Sequence, residues 1–518
     1  MRGVMIQGTS SDAGKSFLAT GLCRVFSDRG YRVCPFKSQN MSNNSCVTRD
    51  GLEIGRAQAA QAEAARLEPE AFMNPILLKP RKDTSSEIVL MGKVFDAPAD
   101  YYRSFTMNEG LAAVRGALTH IEKNFDAVVI EGAGSPAEVN LNDTEIVNMR
   151  VAREADVPVI LTADVDRGGA LAAVVGTLEL LGDDRERVKA IIFNKFRGDL
   201  LLFEPAVRWT ERRTGIRVAG VMPWLPGIRV AGEDSLSIPW GSLPQSFPRN
   251  GRDKTLFIGA VRLSYVSNYT DFEAFAAESD VEVVQVDERT PLHRLDAVVL
   301  PGTKSTVQDM KALRDSGLAD RIVEFHERGG AVFGLCGGYQ MMGERLDDPF
   351  LRDNDQLREM EGLGLLPVVT DFTAEEKTTI QSAGRAVHPS FPEPFTVQGY
   401  EIHFGETRRL REKTHEKDET LSEKFHALFI LNGREDGLAD TDFHAAGTYL
   451  HNAFHNSAFR AFWLNLLRRR KDLPERLPSN VEEGKNYDAL AARMTQSLDM
   501  EYILALAGLA PHKGGRAR

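Results

Sequence analysis

Short, unbroken apolar runs recur along the chain, each stopped by glycine or polar residues, with stretches of helical period between them. The first, Val4-Met5-Ile6-Gln7, leads through a glycine loop into an apolar-periodic helix that starts at Phe17. Asp126-Ala127-Val128-Val129-Ile130, Val157-Pro158-Val159-Ile160-Leu161 and Ala190-Ile191-Ile192-Phe193 repeat the pattern. Runs without polar alternation suit strands covered on both faces, so the alternation from residue 3 to about 225 predicts a parallel α/β sheet. Residues 226–254, rich in Pro, Gly and Ser, read as a linker. A second βα series opens at Thr255-Leu256-Phe257-Ile258-Gly259-Ala260-Val261. The expectation is two parallel-sheet α/β domains, residues 1–228 and 255–470, joined by a linker at 229–254 and followed by an extension at 471–518. Charged residues crowd 408–424, a surface excursion, and 512–518 read as a disordered end. The run Arg468-Arg469-Arg470-Lys471 reads as cations closing the C-terminus of a helix over 458–467. No fixed-period repeat is visible.

Composition narrows the class. A chain of 518 residues exceeds one core, and its 42% apolar and 26% charged content is that of a globular protein. No run of about 18 apolar residues occurs, so no membrane span is expected. Met1-Arg2-Gly3-Val4 runs straight into the glycine loop and leaves no room for a signal peptide. Four cysteines (Cys23, Cys34, Cys46, Cys336) are no disulfide framework, which points to a reducing, cytoplasmic setting. A net charge of −11 argues against nucleic acid as a partner.

Two stretches carry chemistry. Gly8-Thr9-Ser10-Ser11-Asp12-Ala13-Gly14-Lys15-Ser16 lies between a strand and a helix, the context of a phosphate-binding loop. Its backbone N–H groups and the helix N-terminus would face nucleotide phosphates, Lys15 would add a point charge, and Ser16 is placed to ligate Mg²⁺. Five residues separate Gly8 from Gly14 instead of four, with Thr9 at the usual glycine. Glu131, at the end of a later strand, stands where a second Mg²⁺ ligand is needed. Gly132-x-Gly134-x-x-Ala137 also fits a loose dinucleotide fingerprint, but the phosphate loop already occupies the first βαβ position. Asp164-Val165-Asp166-Arg167-Gly168-Gly169 and Asn194-Lys195-Phe196-Arg197-Gly198-Asp199 follow strands at the edge where open sheets bind ligands.

The second stretch is Gly334-Leu335-Cys336-Gly337-Gly338-Tyr339-Gln340. Glycines around one cysteine after an apolar run are what a strained strand-to-helix turn needs to expose a nucleophilic sulfur. Gly302, after the run Ala297-Val298-Val299-Leu300, and Gly337 could offer N–H groups to an oxyanion. His451, closing Ala445-Ala446-Gly447-Thr448-Tyr449-Leu450, is the candidate base. His455 lies four residues on, but no third ligand pattern makes the pair a zinc site.

Pro301-Gly302-Thr303, the cysteine turn and Gly447 to His451 resemble a class I glutamine amidotransferase domain. The resemblance implies glutamine hydrolysis through a cysteinyl thioester, with release of ammonia. Most such domains place a glutamate two residues after the histidine; Ala453 stands there, as in the branch found in cobalamin biosynthesis, and what orients His451 is left open. The phosphate-loop variant resembles dethiobiotin synthetase and its relatives, which phosphorylate carboxylates.

Further segments extend the likeness: Pro35-Phe36-Lys37-Ser38-Gln39-Asn40-Met41-Ser42, Glu53-Ile54-Gly55-Arg56-Ala57-Gln58 and Met73-Asn74-Pro75-Ile76-Leu77-Leu78-Lys79-Pro80. Ser267-Asn268-Tyr269-Thr270-Asp271-Phe272 and Gly399-Tyr400-Glu401-Ile402-His403 complete the set. Over most of residues 3–470 the chain is similar to the cobyric acid synthase family. That resemblance implies amidation of the b, d, e and g carboxylates of adenosylcobyrinic acid a,c-diamide, with ATP, Mg²⁺ and glutamine. It implies ATP binding by Gly8, Thr9, Asp12, Gly14, Lys15, Ser16 and Asn194, and Mg²⁺ on Ser16 and Glu131. Substrate contacts would fall to Lys37, Gln39, Asn40, Asp164, Asp166, Arg167 and His403, although His403 reads equally as structural. ATP and a polycarboxylate corrinoid are anions, and Lys15, Lys37, Lys79, Arg81, Lys82, Arg167, Lys195 and Arg197 could meet them. Cobyrinic acid a,c-diamide synthase shares both domains and is the nearest rival. A partitioning ATPase would put a second lysine early in the loop, where Thr9 and Ser10 stand.

Overall fold

The computed structural model describes residues 1–82, 85–95, 105–141, 144–228, 230, 255–354, 356–374, 376–410, 424–479 and 483–509. Nearly all of the expected linker, residues 411–423 of the charged excursion and the 512–518 end lie outside the described residues.

Six strands build the first sheet: β1 (Gly3–Gly8), β2 (Val33–Phe36), β3 (Ala127–Glu131), β4 (Val159–Asp164), β5 (Val188–Phe196) and β6 (Arg217–Pro223). Their order is β6-β5-β4-β1-β3-β2, all pairs parallel. β1 is buried along its whole length, which explains its lack of polar alternation. The strand order reverses beside β1, so the loops leaving β1, β3, β4 and β5 gather at one edge of the sheet. Helix α1 (Lys15–Asp28) leaves from that edge, and α2 (Arg56–Ala64) packs beside it.

The second sheet comprises β7 (Leu256–Val261), β8 (Val281–Val286), β9 (Ala297–Leu300), β10 (Ala331–Leu335), β11 (Phe425–His426), β12 (Leu438–Asp440) and β13 (Ala445–Thr448). The order is β8-β7-β9-β10-β13-β12-β11; the first five are parallel, and β12 and β11 extend them antiparallel. Helix α3 (Gly337–Met341) leaves the carboxyl end of β10.

The extension beyond residue 470 returns to the first domain. Helices α4 (Glu483–Ser497) and α5 (Met500–Leu506) place Leu490, Met494, Ile503 and Leu504 in the core formed with Leu18, Leu22 and Phe26. A Cβ at Gly21 would collide with the Met494 sulfur, so glycine there lets α4 seat against α1. Gly3 N–H donates to Ala507 O at 2.9 Å, tying the two ends of the described chain together. Arg468, Arg469 and Arg470 stand in the last turn of the helix Ser457–Arg470, and Arg468 among them is fully buried, donating to Asp280 at 2.9 Å and Glu278 at 3.2 Å.

The two halves share a wall. Tyr400 and Ile402, on the strand Thr396–His403, pack with Cys46, Val47 and Ile54 of the first half. Lys304 meets Glu87 at 2.8 Å and Lys377 meets Glu53 at 2.7 Å, all four side chains buried; Lys79 also pairs with Glu53. Burial would raise the Glu53 pKa, but Lys377 and Lys79 outweigh it and hold the carboxyl well below its ordinary range. Among the described residues no helix is long and apolar enough to cross a membrane.

Candidate active sites

At the end of β10 the backbone turns sharply. Cys336 has φ 51° and ψ −110°, a strained conformation for a non-glycine residue, and its N–H donates to Thr448 O of β13 at 2.8 Å. A Cβ at Gly338 would collide with Leu300 O, so only glycine lets the turn pass that close to β9. Gly337 opens α3, where backbone N–H groups lack helical partners. Gly302 pairs with Ser267 in a two-residue antiparallel ladder, its Cα side facing the His451 ring.

His451 follows β13 and is almost wholly buried. Its Nδ1 lies 2.8 Å from Asp271 Oδ2, and the other Asp271 oxygen accepts the Asn452 N–H at 2.6 Å. The Tyr400 ring stacks on the imidazole at 5.2 Å, and His451 N–H donates to Tyr400 O at 2.9 Å. Burial alone would lower the histidine pKa; Asp271 and the Cys336 sulfur, within hydrogen-bonding reach, outweigh it and push it up to about 10. The arrangement sets a buried, carboxylate-oriented histidine beside the cysteine sulfur, the pairing that a cysteine nucleophile needs. The Cys336 cleft is lined by residues of both halves, Lys79, Asn268, Lys304, Gln340 and His403 among them. His403 stacks on Tyr449 at 3.8 Å, and its Nδ1 faces Gly405 O at 3.1 Å.

At the edge of the first sheet, Lys15 Nζ donates to Gly134 O at 2.9 Å and to Ser10 O at 3.2 Å. Gly14 takes φ 93°, and a Cβ there would collide with Asn194, whose amide donates to Ala13 O at 3.0 Å. Thr9 N–H donates to Thr162 O, which fixes the loop on β4. Gly8 ends β1. Ser16 Oγ donates to Glu131 Oε1 at 2.8 Å, and Lys37 Nζ reaches the same oxygen at 3.0 Å, with Gln61 on the other. Burial would raise the Glu131 pKa; Lys37, Ser16 and Gln61 hold it below the ordinary range. Two hard oxygens, Ser16 and Glu131, thus converge beside the loop, and a Mg²⁺ ion that takes its remaining ligands from phosphate and water fits that donor set.

Family models match both halves: a CobQ/CobB/MinD/ParA nucleotide binding domain over residues 4–238, and a CobB/CobQ-like glutamine amidotransferase domain over residues 257–459. A cobyric acid synthase of Geobacillus kaustophilus (strain HTA426) is 44% identical, covering 96% of this chain and 96% of its own. One of Desulfitobacterium hafniense (strain DSM 10664 / DCB-2) is 42% identical over 99% and 98%. The chain belongs to the cobyric acid synthase family. It is an enzyme of the amidotransferase class with a nucleotide-binding domain.

Within this member of the cobyric acid synthase family, Lys37, Asp164 and Arg167 of the residues singled out for substrate stand at the phosphate-loop edge, whereas His403 lines the Cys336 cleft. Lys37 stands on Glu131. Asp164 is engaged by Lys195 at 3.0 Å, Asp166 by Arg197 at 3.0 Å, and Arg167 by Asp12 at 2.9 Å. Asn40 is buried beneath Gly55, its amide donating to Gln58 at 2.9 Å, while Gln39 is half-buried on the neighbouring strand position. The residue that orients His451 is Asp271, 180 positions away in sequence, and its only sequence signal was its place in the Ser267 to Phe272 segment. The Gly399 to His403 segment, whose role was open, forms the wall behind His451 and Cys336: Ile402 O lies 3.5 Å from the thiol.

Proposed function

We propose that the chain amidates the b, d, e and g carboxylates of adenosylcobyrinic acid a,c-diamide, consuming ATP and glutamine. The observation that carries this reading is the pairing, across one buried wall, of a Cys336–His451–Asp271 site with a phosphate loop. Relatives named cobyric acid synthase, aligned over 96% of the chain, support the substrate.

In the amidotransferase half, the Cys336 thiolate attacks the glutamine amide carbon and the Gly337 N–H takes the developing oxyanion. His451 gives its Nε2 proton to the departing nitrogen, leaving a thioester and ammonia. It then accepts a proton from the water that releases glutamate, while Asp271 keeps the ring oriented. In the synthetase half, a substrate carboxylate attacks the γ-phosphorus of ATP, giving an acyl phosphate and ADP. Lys15 and the loop amides neutralise the transferring group. Mg²⁺ held by Ser16 and Glu131 would supply further charge neutralisation. Ammonia displaces phosphate from the acyl phosphate to give the amide. Ammonium is not a nucleophile, so ammonia needs a sheltered route, and the Cys336 cleft already abuts Lys79 of the synthetase half.

The test is mass spectrometry of products from the purified chain with ATP, glutamine and either the corrinoid a,c-diamide or cobyrinic acid. Stepwise conversion of the diamide to the fully amidated acid is expected. Amidation of cobyrinic acid alone would replace this reading with that of an a,c-diamide synthase.

A further inference from the structure

Two short strands, Val266–Ser267 and Gly302–Thr303, form an antiparallel ladder beside the Cys336 cleft, which Ser267 and Thr303 line. Each strand carries part of the glutamine site. Ser267 leads into Asn268, whose amide lies 3.2 Å from His451 Nε2, and on to Asp271, which orients the ring. The other strand bounds the space in which an oxyanion forms. A Cβ at Gly337 would meet Thr303 Cγ2 at 2.7 Å and Thr303 N at 3.1 Å, and one at Gly302 would meet His451 Cε1 at 3.1 Å. Gly302–Thr303 is therefore fitted between the cysteine turn and the histidine with little room on either side.

One buried carboxylate spans that ladder. Asp309 stands in the first turn of the helix Thr306–Asp315. Ser264 N–H donates to its Oδ1 at 3.0 Å; Tyr265 N–H, at 3.3 Å, and the Thr303 hydroxyl donate to its Oδ2. The two amides come from the segment that enters Val266–Ser267 and the hydroxyl from the opposite strand, so a single side chain holds both. Burial raises the Asp309 pKa to about 6 against the pull of these donors, so at neutral pH the group is ionised and accepts at both oxygens. Asp353 steadies the helix that carries it, taking the N–H groups of Thr306 at 3.0 Å and Val307 at 2.8 Å. Burying a carboxylate is unfavourable, and an apolar residue at this helix position would avoid the penalty. What an apolar residue would not supply is a joint hold on the two strands.

We propose that Asp309 is a positioning residue for glutamine hydrolysis: by holding Ser264, Tyr265 and Thr303 together it sets the Gly302–Thr303 strand at the separation from Gly337 that the oxyanion site requires. It acts through the strand and not on the substrate. The oxyanion appears only as Cys336 attacks, so a displaced strand slows thioester formation and leaves glutamine binding nearly intact. The inference rests on the glutaminase reading above.

The experiment measures kcat and KM for glutamate release by the full chain and by Asp309→Asn. The substitution keeps the shape but sets an NH₂ against one of the two backbone N–H groups, whichever way the amide is turned. kcat should fall about a hundredfold, the effect of a misplaced oxyanion site, with KM within about threefold of the unaltered chain. Iodoacetamide, whose displacement passes through no oxyanion, should alkylate Cys336 at the unaltered rate, as read by mass spectrometry. Amidation from ammonium should be retained and serves as the folding control. A kcat within about threefold of the unaltered chain would overturn the proposal. So would a fall in kcat matched by slower alkylation, because the thiol itself would then be disturbed. Should Asp309→Asn lose amidation from ammonium, Thr303→Val, which removes one hydroxyl from the same contact, decides. A kcat lowered about tenfold at unchanged KM supports the positioning role, and an unchanged kcat removes it. Cys336→Ser run in parallel separates the two readings. Glutamine hydrolysis retained there would sink the glutaminase itself, whereas its loss beside an unaffected Asp309→Asn would sink the positioning role alone.

Discussion

The two sites solve different problems with different materials. The phosphate-loop edge is a web of opposed charges: Lys15, Lys37 and Glu131 at its base, and Asp164, Arg167, Lys195 and Asp12 at its rim. Nearly all of it comes from loops that leave neighbouring strands. The Cys336 site is drier and holds a strained backbone, a buried carboxylate–imidazole pair and a neutral amide brought from another segment. Phosphoryl transfer asks chiefly for positioning and charge neutralisation, which a sheet edge supplies. Covalent catalysis by a thiol asks for a tuned pKa and a fixed ring, which require burial and long-range contacts.

Breaking the first site should produce the largest effect. Lys15→Ala should lower amidation about a thousandfold or more with either glutamine or ammonium, because both depend on the same activated carboxylate. Comparable loss with only one nitrogen source would contradict the division of labour. Next comes the orienting carboxylate. Asp271→Asn should lower glutamine-dependent amidation by a factor on the order of 10³, as expected when a histidine loses its tautomer control. With ammonium the same variant should keep most of its rate.

A smaller effect probes the wall between the sites. Lys377→Met leaves the buried Glu53 and Glu87 short of one partner and should cost about 3–5 kcal/mol. Because Glu53 is held below its ordinary range, the wall contributes stability above about pH 4.5 that is lost as pH falls, and thermal melts of the variant should show a weaker acid dependence. The smallest expected effect lies behind β13. Burial raises Asp436 to about 7, so its contribution is present in acid and is lost as pH rises from 3.8 through about 7. Asp436→Asn should flatten the melting profile over that window.

The same contrast explains what could be read from the residues in order. Parallel strands announced themselves as unbroken apolar runs, and the phosphate loop is local, so its lysine, serine and glycines sit together in sequence. Cys336 stood out because the turn that exposes it needs its glycines side by side. The partners of His451 were harder, since a carboxylate two residues on was the only place to look and Ala453 stands there. Asp271 and Asn268 reach the ring through tertiary folding alone. The basic run from Arg468 does mark a helix end, but that Arg468 is buried against Glu278 and Asp280 follows from tertiary folding alone. The helices Glu483–Ser497 and Met500–Leu506 carry an ordinary amphipathic pattern that says nothing about which domain they join.

The central claim is that one chain makes ammonia at Cys336 and uses it at the phosphate-loop site. The most direct test is amide formation by Cys336→Ser with each nitrogen source. Glutamine should support almost none, because a hydroxyl is a poor nucleophile beside a base tuned for a thiol, while concentrated ammonium chloride at elevated pH should still give the amide. Undiminished amidation from glutamine would contradict the account.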